Sequence, residues 1–214
     1  MAAGPTKIID LAARRRAADD GAAKRLFFGV ALPEATRAAA AELIASFKIE
    51  PGRVSWVKRD NLHLTLKFLG DAGDASVPAI AQTARKAICG FAPLKLEVEG
   101  VGVFPNKDRP RVIWLGMTGE TERLAEMEAA LSAKLEPLGF SREERPFTAH
   151  ITAGRIKSDA IRGQVLRVTR ACQKAHVGAA PVTEVILYES RLNPGGSIYI
   201  PVEVFPLTGA PGPA

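Results

Sequence analysis

Two of the chain's three histidines stand in the same tripeptide setting, His63-Leu64-Thr65 and His150-Ile151-Thr152. Both settings fall in stretches where apolar and polar residues alternate, the pattern of a strand with one face buried. Alternation places His63, Thr65 and Lys67 on one face and Leu64, Leu66 and Phe68 on the other. In the second segment Thr148, His150 and Thr152 share a face, with Ile151 and Ala153 behind them. Opening a phosphodiester by in-line attack needs one group to take a proton from the nucleophile and another to give one to the leaving oxygen. Imidazole, with an ordinary pKa near 6.5, suits both tasks at neutral pH. A threonine hydroxyl two residues along the same face can donate to the non-bridging phosphate oxygens, where charge must be held in the transition state. Such a centre requires no metal. The sequence contains no His-x-His, no His-Glu-x-x-His and no glycine-rich phosphate loop, so neither a metal nor a cofactor is expected. The third histidine, His176, lies in a polar stretch without a comparable pattern and is read as structural.

The elements that must carry these residues follow from hydrophobic periodicity. Leu26 to Leu32 is an apolar run fit for a buried strand, and Pro33-Glu34 opens an Ala-rich helix reaching about Phe47. Val54 to Val57 and Leu62 to Leu69 read as strands joined by a polar turn. A helix follows from about Asp74 to Ile88, with Gly90 as its expected cap. Leu94 to Val103 and Arg111 to Met117 read as paired strands. Leu124, Met127, Leu131 and Leu135 then mark a helix over 121–138 that Gly139 ends. Strands are expected over 147–156, 183–188 and 197–204, the last two joined by a turn at Asn193-Pro194-Gly195-Gly196, with a further helix near 158–172. Strand-rich blocks interrupted by single helices indicate an α+β fold with mainly antiparallel sheets.

The 214 residues, 47% of them hydrophobic, suffice for a sizeable core. A formal net charge of +6 is compatible with an anionic ligand and names none. Cys89 and Cys172 are far apart, outside any metal-knuckle spacing, and are expected as free thiols. No apolar run is long enough to span a bilayer and no secretory signal precedes the core, so a cytoplasmic protein is expected, without membrane contact. Residues 1–23, which include Arg14-Arg15-Arg16, read as a flexible basic tail, 24–207 as one domain, and 208–214 as a disordered Gly- and Pro-rich tail.

The paired motifs HLTL at 63–66 and HITA at 150–153 resemble those of the 2H phosphoesterase superfamily, specifically its RNA 2′,3′-cyclic phosphodiesterases, also called 2′-5′ RNA ligases. Further segments resemble that group in order: RLFFGVALP at 25–33, NLHLTLKFLG at 61–70, RVIWLG at 111–116, RPFTAHIT at 145–152 and the stretch 187–207. The resemblance implies two pseudo-symmetric lobes, each an antiparallel sheet with outer helices, with one His-x-Thr strand per lobe facing a central cleft. It implies RNA with a 2′,3′-cyclic phosphate end as substrate, His63 as proton donor to the ribose 3′-oxygen, His150 as proton acceptor from water, and Thr65 and Thr152 on the phosphate. Ala149 replaces a proline common in the family, and Ala153-Gly154 replaces Leu-Ala.

Position adds secondary candidates. Arg145 is placed to clamp a phosphate, Phe27 and Phe28 to line the cleft beside a base, and Lys67 to approach the phosphate from the His63 face; Trp56 and Trp114 are read as core. Two other activities fit the same residues: reversible 2′-5′ joining of RNA ends, and a non-catalytic RNA-binding module. A monomer without an obligate protein partner is expected.

Overall fold

The computed structural model describes residues 23–194 and 196–210. The expected N-terminal tail, apart from Ala23, lies outside the described residues, as do 211–214. Thr208 and Gly209, expected in the disordered C-terminal tail, are instead tied down: Thr208 Oγ1 donates to the Cys89 carbonyl at 3.3 Å and the Gly209 amide to the Phe91 carbonyl at 3.0 Å. A Cβ on Gly209 would stand 2.2 Å from the Gly90 oxygen, so only glycine fits this approach. Gly90 directly follows Cys89, the C-cap of the helix that ends at Ile88, as expected, but without a positive φ.

Nine strands and four α-helices form among the described residues, all strand pairs antiparallel. The strands are β1 (Lys24–Ala31), β2 (Val54–Trp56), β3 (His63–Ala72), β4 (Leu96–Phe104), β5 (Val112–Gly119), β6 (His150–Ile156), β7 (His176–Ala179), β8 (Glu184–Asn193) and β9 (Gly196–Pro206). The helices are α1 (Glu34–Ala45), α2 (Val77–Ile88), α3 (Thr121–Leu135) and α4 (Arg162–Ala171). Helix α3 buries Leu124, Met127, Leu131 and Leu135, the spacing seen in the sequence, and ends at Gly139 with φ 91°.

The strand order β7-β4-β5-β6-β3-β1-β8-β9 divides at its middle. Strands β4 to β7 make one half-sheet and β3, β1, β8 and β9 the other, joined at a single residue pair, Leu64 on β3 with Ile151 on β6. Both are almost wholly buried, at 1% and 0% exposure, and each such burial contributes roughly 1.5–3 kcal/mol. Strand β2 pairs with the later half of β6, so β6 leaves β3 and takes a new partner beyond Ala153. The halves repeat one order. A strand (β1, β5), a helix (α1, α3), a His-x-Thr strand (β3, β6), a short 3-10 turn and a second helix (α2, α4) succeed one another.

Candidate active site

The join between the half-sheets positions the two motifs. Continuing the Leu64–Ile151 antiparallel pairing by one residue each way sets His63 across from Thr152, and Thr65 across from His150. The arrangement is a pseudo-twofold about that pair. Diagonal neighbours across such a pairing lie about 7–8 Å apart, a separation that lets two imidazoles flank one phosphate.

Each imidazole is oriented by the same local device. His63 Nδ1 lies 2.7 Å from the Asn61 carbonyl and His150 Nδ1 lies 2.7 Å from the Thr148 carbonyl. A carbonyl only accepts, so Nδ1 carries the hydrogen and Nε2 is left for chemistry in both rings. Thr65 Oγ1 stands 3.0 Å from His63 Nε2. Burial holds the His63 pKa below its ordinary value; the hydrogen bond to Asn61 opposes this, and charge on His150 adds to it. The Asn61 segment is itself held by its side-chain amide, which donates to the Ser197 carbonyl at 2.6 Å, linking β3 to the tip of the β8–β9 hairpin.

Aromatic rings surround the histidines. Phe27 lies 4.9 Å and Tyr199 5.0 Å from the His63 ring, and Tyr188 stacks on Phe27 at 5.2 Å. Burial pushes both tyrosine phenols up, so they stay protonated donors. His150 meets Phe104 at 4.9 Å and Trp114 at 6.5 Å. Gly29 is the counterpart of Trp114, opposite Thr65 on β1 as Trp114 is opposite Thr152 on β5. A Cβ there would lie 3.1 Å from the Leu64 oxygen and 3.4 Å from His63 Cδ2, so glycine leaves the imidazole its space.

Two sequence expectations are corrected by β-bulges. In β3, Phe28 and Gly29 oppose Lys67 and Thr65, leaving Leu66 as the extra residue. In β6, Trp114 and Ile113 oppose Thr152 and Gly154, leaving Ala153 extra. An extra residue reverses the alternation beyond it. Lys67 therefore turns away from the cleft: it is 3% exposed and donates to the Ser141 carbonyl at 3.0 Å. Burial lowers its pKa, against the pull of Glu128, Glu143 and Glu136. Phe68 turns to the cleft face instead, 45% exposed with the Arg25 guanidinium over its ring at 5.2 Å. Of the two phenylalanines expected at the cleft, Phe28 is instead core, fully buried against Phe205, and Phe27 alone stands beside His63. An unbroken apolar run contains no alternation from which to tell the two faces apart.

Trp114 is half-buried on the cleft face and Trp56 is 37% exposed, so neither belongs to the core. Trp56 packs on Phe47 at 5.9 Å and over Gly154, where a Cβ would come within 2.7 Å of the indole. That contact accounts for glycine at this departure from the family pattern. Arg145 is exposed in the irregular segment before β6, which starts at His150 rather than Phe147, and forms no ion pair among the described residues. His176 pairs with Glu97 at 3.2 Å on β7, a strand the sequence reading missed because its four residues have little apolar character. Among the described residues no three His, Cys, Asp or Glu side chains gather as a metal site, and no helix is long and apolar enough to cross a membrane.

Fold and site together define a two-lobed α+β protein with twinned His-x-Thr strands meeting at one seam. The chain matches the family described as LigT like Phosphoesterase twice in tandem, over residues 30–114 and 115–199, each match holding one motif. It belongs to that family. A protein of Methanothermobacter thermautotrophicus named RNA 2′,3′-cyclic phosphodiesterase is 35% identical over 183 residues, 86% of this chain and 98% of its own length. Among solved structures, TT0787 of Thermus thermophilus superposes with a TM-score of 0.72 at 30% identity, covering 86% of this chain and 98% of that one. E. coli LigT in its apo form gives 0.70 at 28% identity, covering 88% and 99%.

Proposed function

We propose that this protein hydrolyses the 2′,3′-cyclic phosphate end of RNA to a 2′-phosphomonoester, without a metal. The observation that carries this reading is the matched fixing of both imidazoles: each Nδ1–H is engaged by the carbonyl two residues earlier, so the chemistry falls to Nε2 in both rings, that of His63 lying 3.0 Å from Thr65 Oγ1. His150 Nε2 takes a proton from water as the water oxygen attacks phosphorus. His63 Nε2–H gives its proton to the ribose 3′-oxygen as the P–O3′ bond breaks, and phosphorus stays on O2′. Thr65 and Thr152 donate to the non-bridging oxygens, and Arg145 approaches from the segment ahead of β6. The terminal nucleoside lies on the His63 side, its base against Phe68 and the Arg25 guanidinium. Burial disposes His63 to be neutral in the free protein. The proton it donates therefore arrives with the substrate, whose phosphate charge restores the imidazole's proton affinity.

The test is an oligoribonucleotide ending in a 2′,3′-cyclic phosphate, incubated with the protein in EDTA. The expected product carries a 2′-phosphate, and His63→Ala or His150→Ala each lowers the rate by about 10² to 10⁴. Full activity in both variants, a 3′-phosphate product, or loss of activity in EDTA with rescue by zinc or manganese refutes the reading.

A further inference from the structure

The two halves hold the chain ahead of each motif in different ways. In both bulged strands the residue four beyond the histidine backs onto the segment that leads into the other motif. Gly154 is that residue in β6: a Cβ on it would lie 2.7 Å from both Trp56 and Val54. There β2 forms a ladder with β6 through Val54–Ile156, Ser55–Arg155 and Trp56–Gly154, which fixes the approach to His63. The approach to His150, residues 141–149, is irregular backbone with a bend at Glu144 and Arg145. Lys67 stands at the position equivalent to Gly154, and its ammonium donates to the Ser141 carbonyl at 3.0 Å. A charged hydrogen bond thus occupies the place of a ladder.

Lys67 is 3% exposed, on the core side of β3. Burying an ammonium is costly unless it is bonded and its charge is compensated, and a methionine would fill similar space without that cost. Glu128, Glu136 and Glu143 supply the opposite charge, and Arg142, which opposes it, is itself paired with Glu136 at 3.1 Å. The segment that Lys67 holds carries two groups of the site. At its far end Phe147 and Ala149 pack on the core, leaving the five residues 142–146 exposed between the two anchorages. Arg145 lies in that span. The Thr148 carbonyl, which orients the His150 ring, follows three residues later.

We propose that Lys67 is a positioning residue for the substrate phosphate: a side chain of the first His-x-Thr strand that fixes the segment ahead of the second, and so holds Arg145 where its guanidinium meets the phosphate. The inference rests on the role given to Arg145 above. Tied only at Phe147, the exposed span would let Arg145 range over many positions. The bond at Ser141 removes that freedom before substrate arrives, so less order has to be imposed on binding. Each half builds the approach to the other's histidine, by a ladder on one side and by Lys67 on the other.

The test is a double-mutant cycle on the whole chain, with Lys67→Met, Arg145→Ala and the two combined, at a temperature where all are folded. Inorganic phosphate affinity is one readout; the other is kcat/KM on an oligoribonucleotide ending in a 2′,3′-cyclic phosphate. Each single variant should weaken phosphate binding and lower kcat/KM by about tenfold or more. The double variant should be no worse than Arg145→Ala, because a group that acts through Arg145 then has nothing left to position. A merely structural lysine lowers Tm and leaves the phosphate affinity of the folded protein unchanged. Unchanged affinity in either single variant, or losses that multiply in the double variant, overturns the inference. Should Lys67→Met not fold, Lys67→Gln, one bond shorter, takes its place in the cycle with the same expectation. In the unaltered protein, added phosphate should slow amide exchange at Arg145, and exchange that ignores phosphate also overturns the inference. Absence of hydrolysis in the unaltered protein counts against the two-histidine reading instead, and the phosphate affinities then decide the role of Lys67 by themselves.

Discussion

Gly102→Ala isolates the packing that holds the His150 side of the site. Gly102 on β4 pairs with Trp114 on β5, and the indole lies flat over the glycine: a Cβ there would meet Trp114 Cζ2 at 2.2 Å, Cη2 at 2.4 Å and Cε2 at 2.6 Å. Carbon atoms rest at about 3.5–4.0 Å, so the ring must move by about 1.3 Å or more. Phe104 lies at 5.1 Å and His150 at 6.5 Å, and the ring also lines an open cavity, so a displacement into that space disturbs its packing on both neighbours. Overpacking of this kind costs typically about 1–3 kcal/mol. For a domain of this size each kcal/mol lowers Tm by roughly 2–4 °C. Displacement of a ring beside the base by about 1 Å predicts a loss on the order of 10²-fold in kcat/KM. Thermal melting and initial rates on a cyclic-phosphate oligoribonucleotide provide the assay. Trp114→Ala in the Gly102→Ala background should recover stability relative to Gly102→Ala alone, because the clash is removed. Wild-type melting and wild-type kcat/KM in Gly102→Ala would refute the argument that the indole is fixed against this glycine.

The remaining predictions concern charge. In the free protein the His63 ring should titrate below the ordinary imidazole value near 6.5, checked by NMR of its ring protons; because the acid form is the active one, kcat/KM should fall as pH rises through that lowered pKa. In linkage terms a depressed pKa means the unfolded chain binds the proton more tightly, so the stability contribution is full above about 6.5 and is lost as pH falls through the folded value; urea midpoints of wild type that drop over this window more than those of His63→Gln would show it, and equal slopes would refute it. Lys67→Met should loosen the segment 139–149 by removing the ammonium from the Ser141 carbonyl, at a cost of about 1.5–3 kcal/mol for a charged hydrogen bond. Amide exchange across 141–148 should accelerate, and unchanged exchange there refutes the anchoring role.

Much of the site is legible in the sequence. The repeated His-apolar-Thr tripeptide and its period-2 setting identify two strands whose histidines and threonines share a face, and both are found so, because a strand's alternation is a property of its own backbone. Helix α3 and the β8–β9 hairpin are equally plain, since side-chain periodicity and turn glycines act locally. The departures begin one residue beyond each threonine. Leu66 and Ala153 are extra residues only with respect to a partner strand, so nothing within either segment announces the reversal that buries Lys67 and presents Phe68.

Periodicity along the chain therefore suffices for the pair of His-x-Thr strands, the α+β class and most element positions. Packing in three dimensions settles which of Phe27 and Phe28 faces the cleft, that Trp114 and Tyr199 stand beside the histidines, and that β2 joins β6. The reason is physical: periodicity is encoded along the chain, whereas the face a residue presents, and the rings it meets, depend on bulges and pairings with strands distant in sequence. The single buried contact of Leu64 with Ile151, 87 positions apart by subtraction, brings the two motifs together, and no local pattern records it.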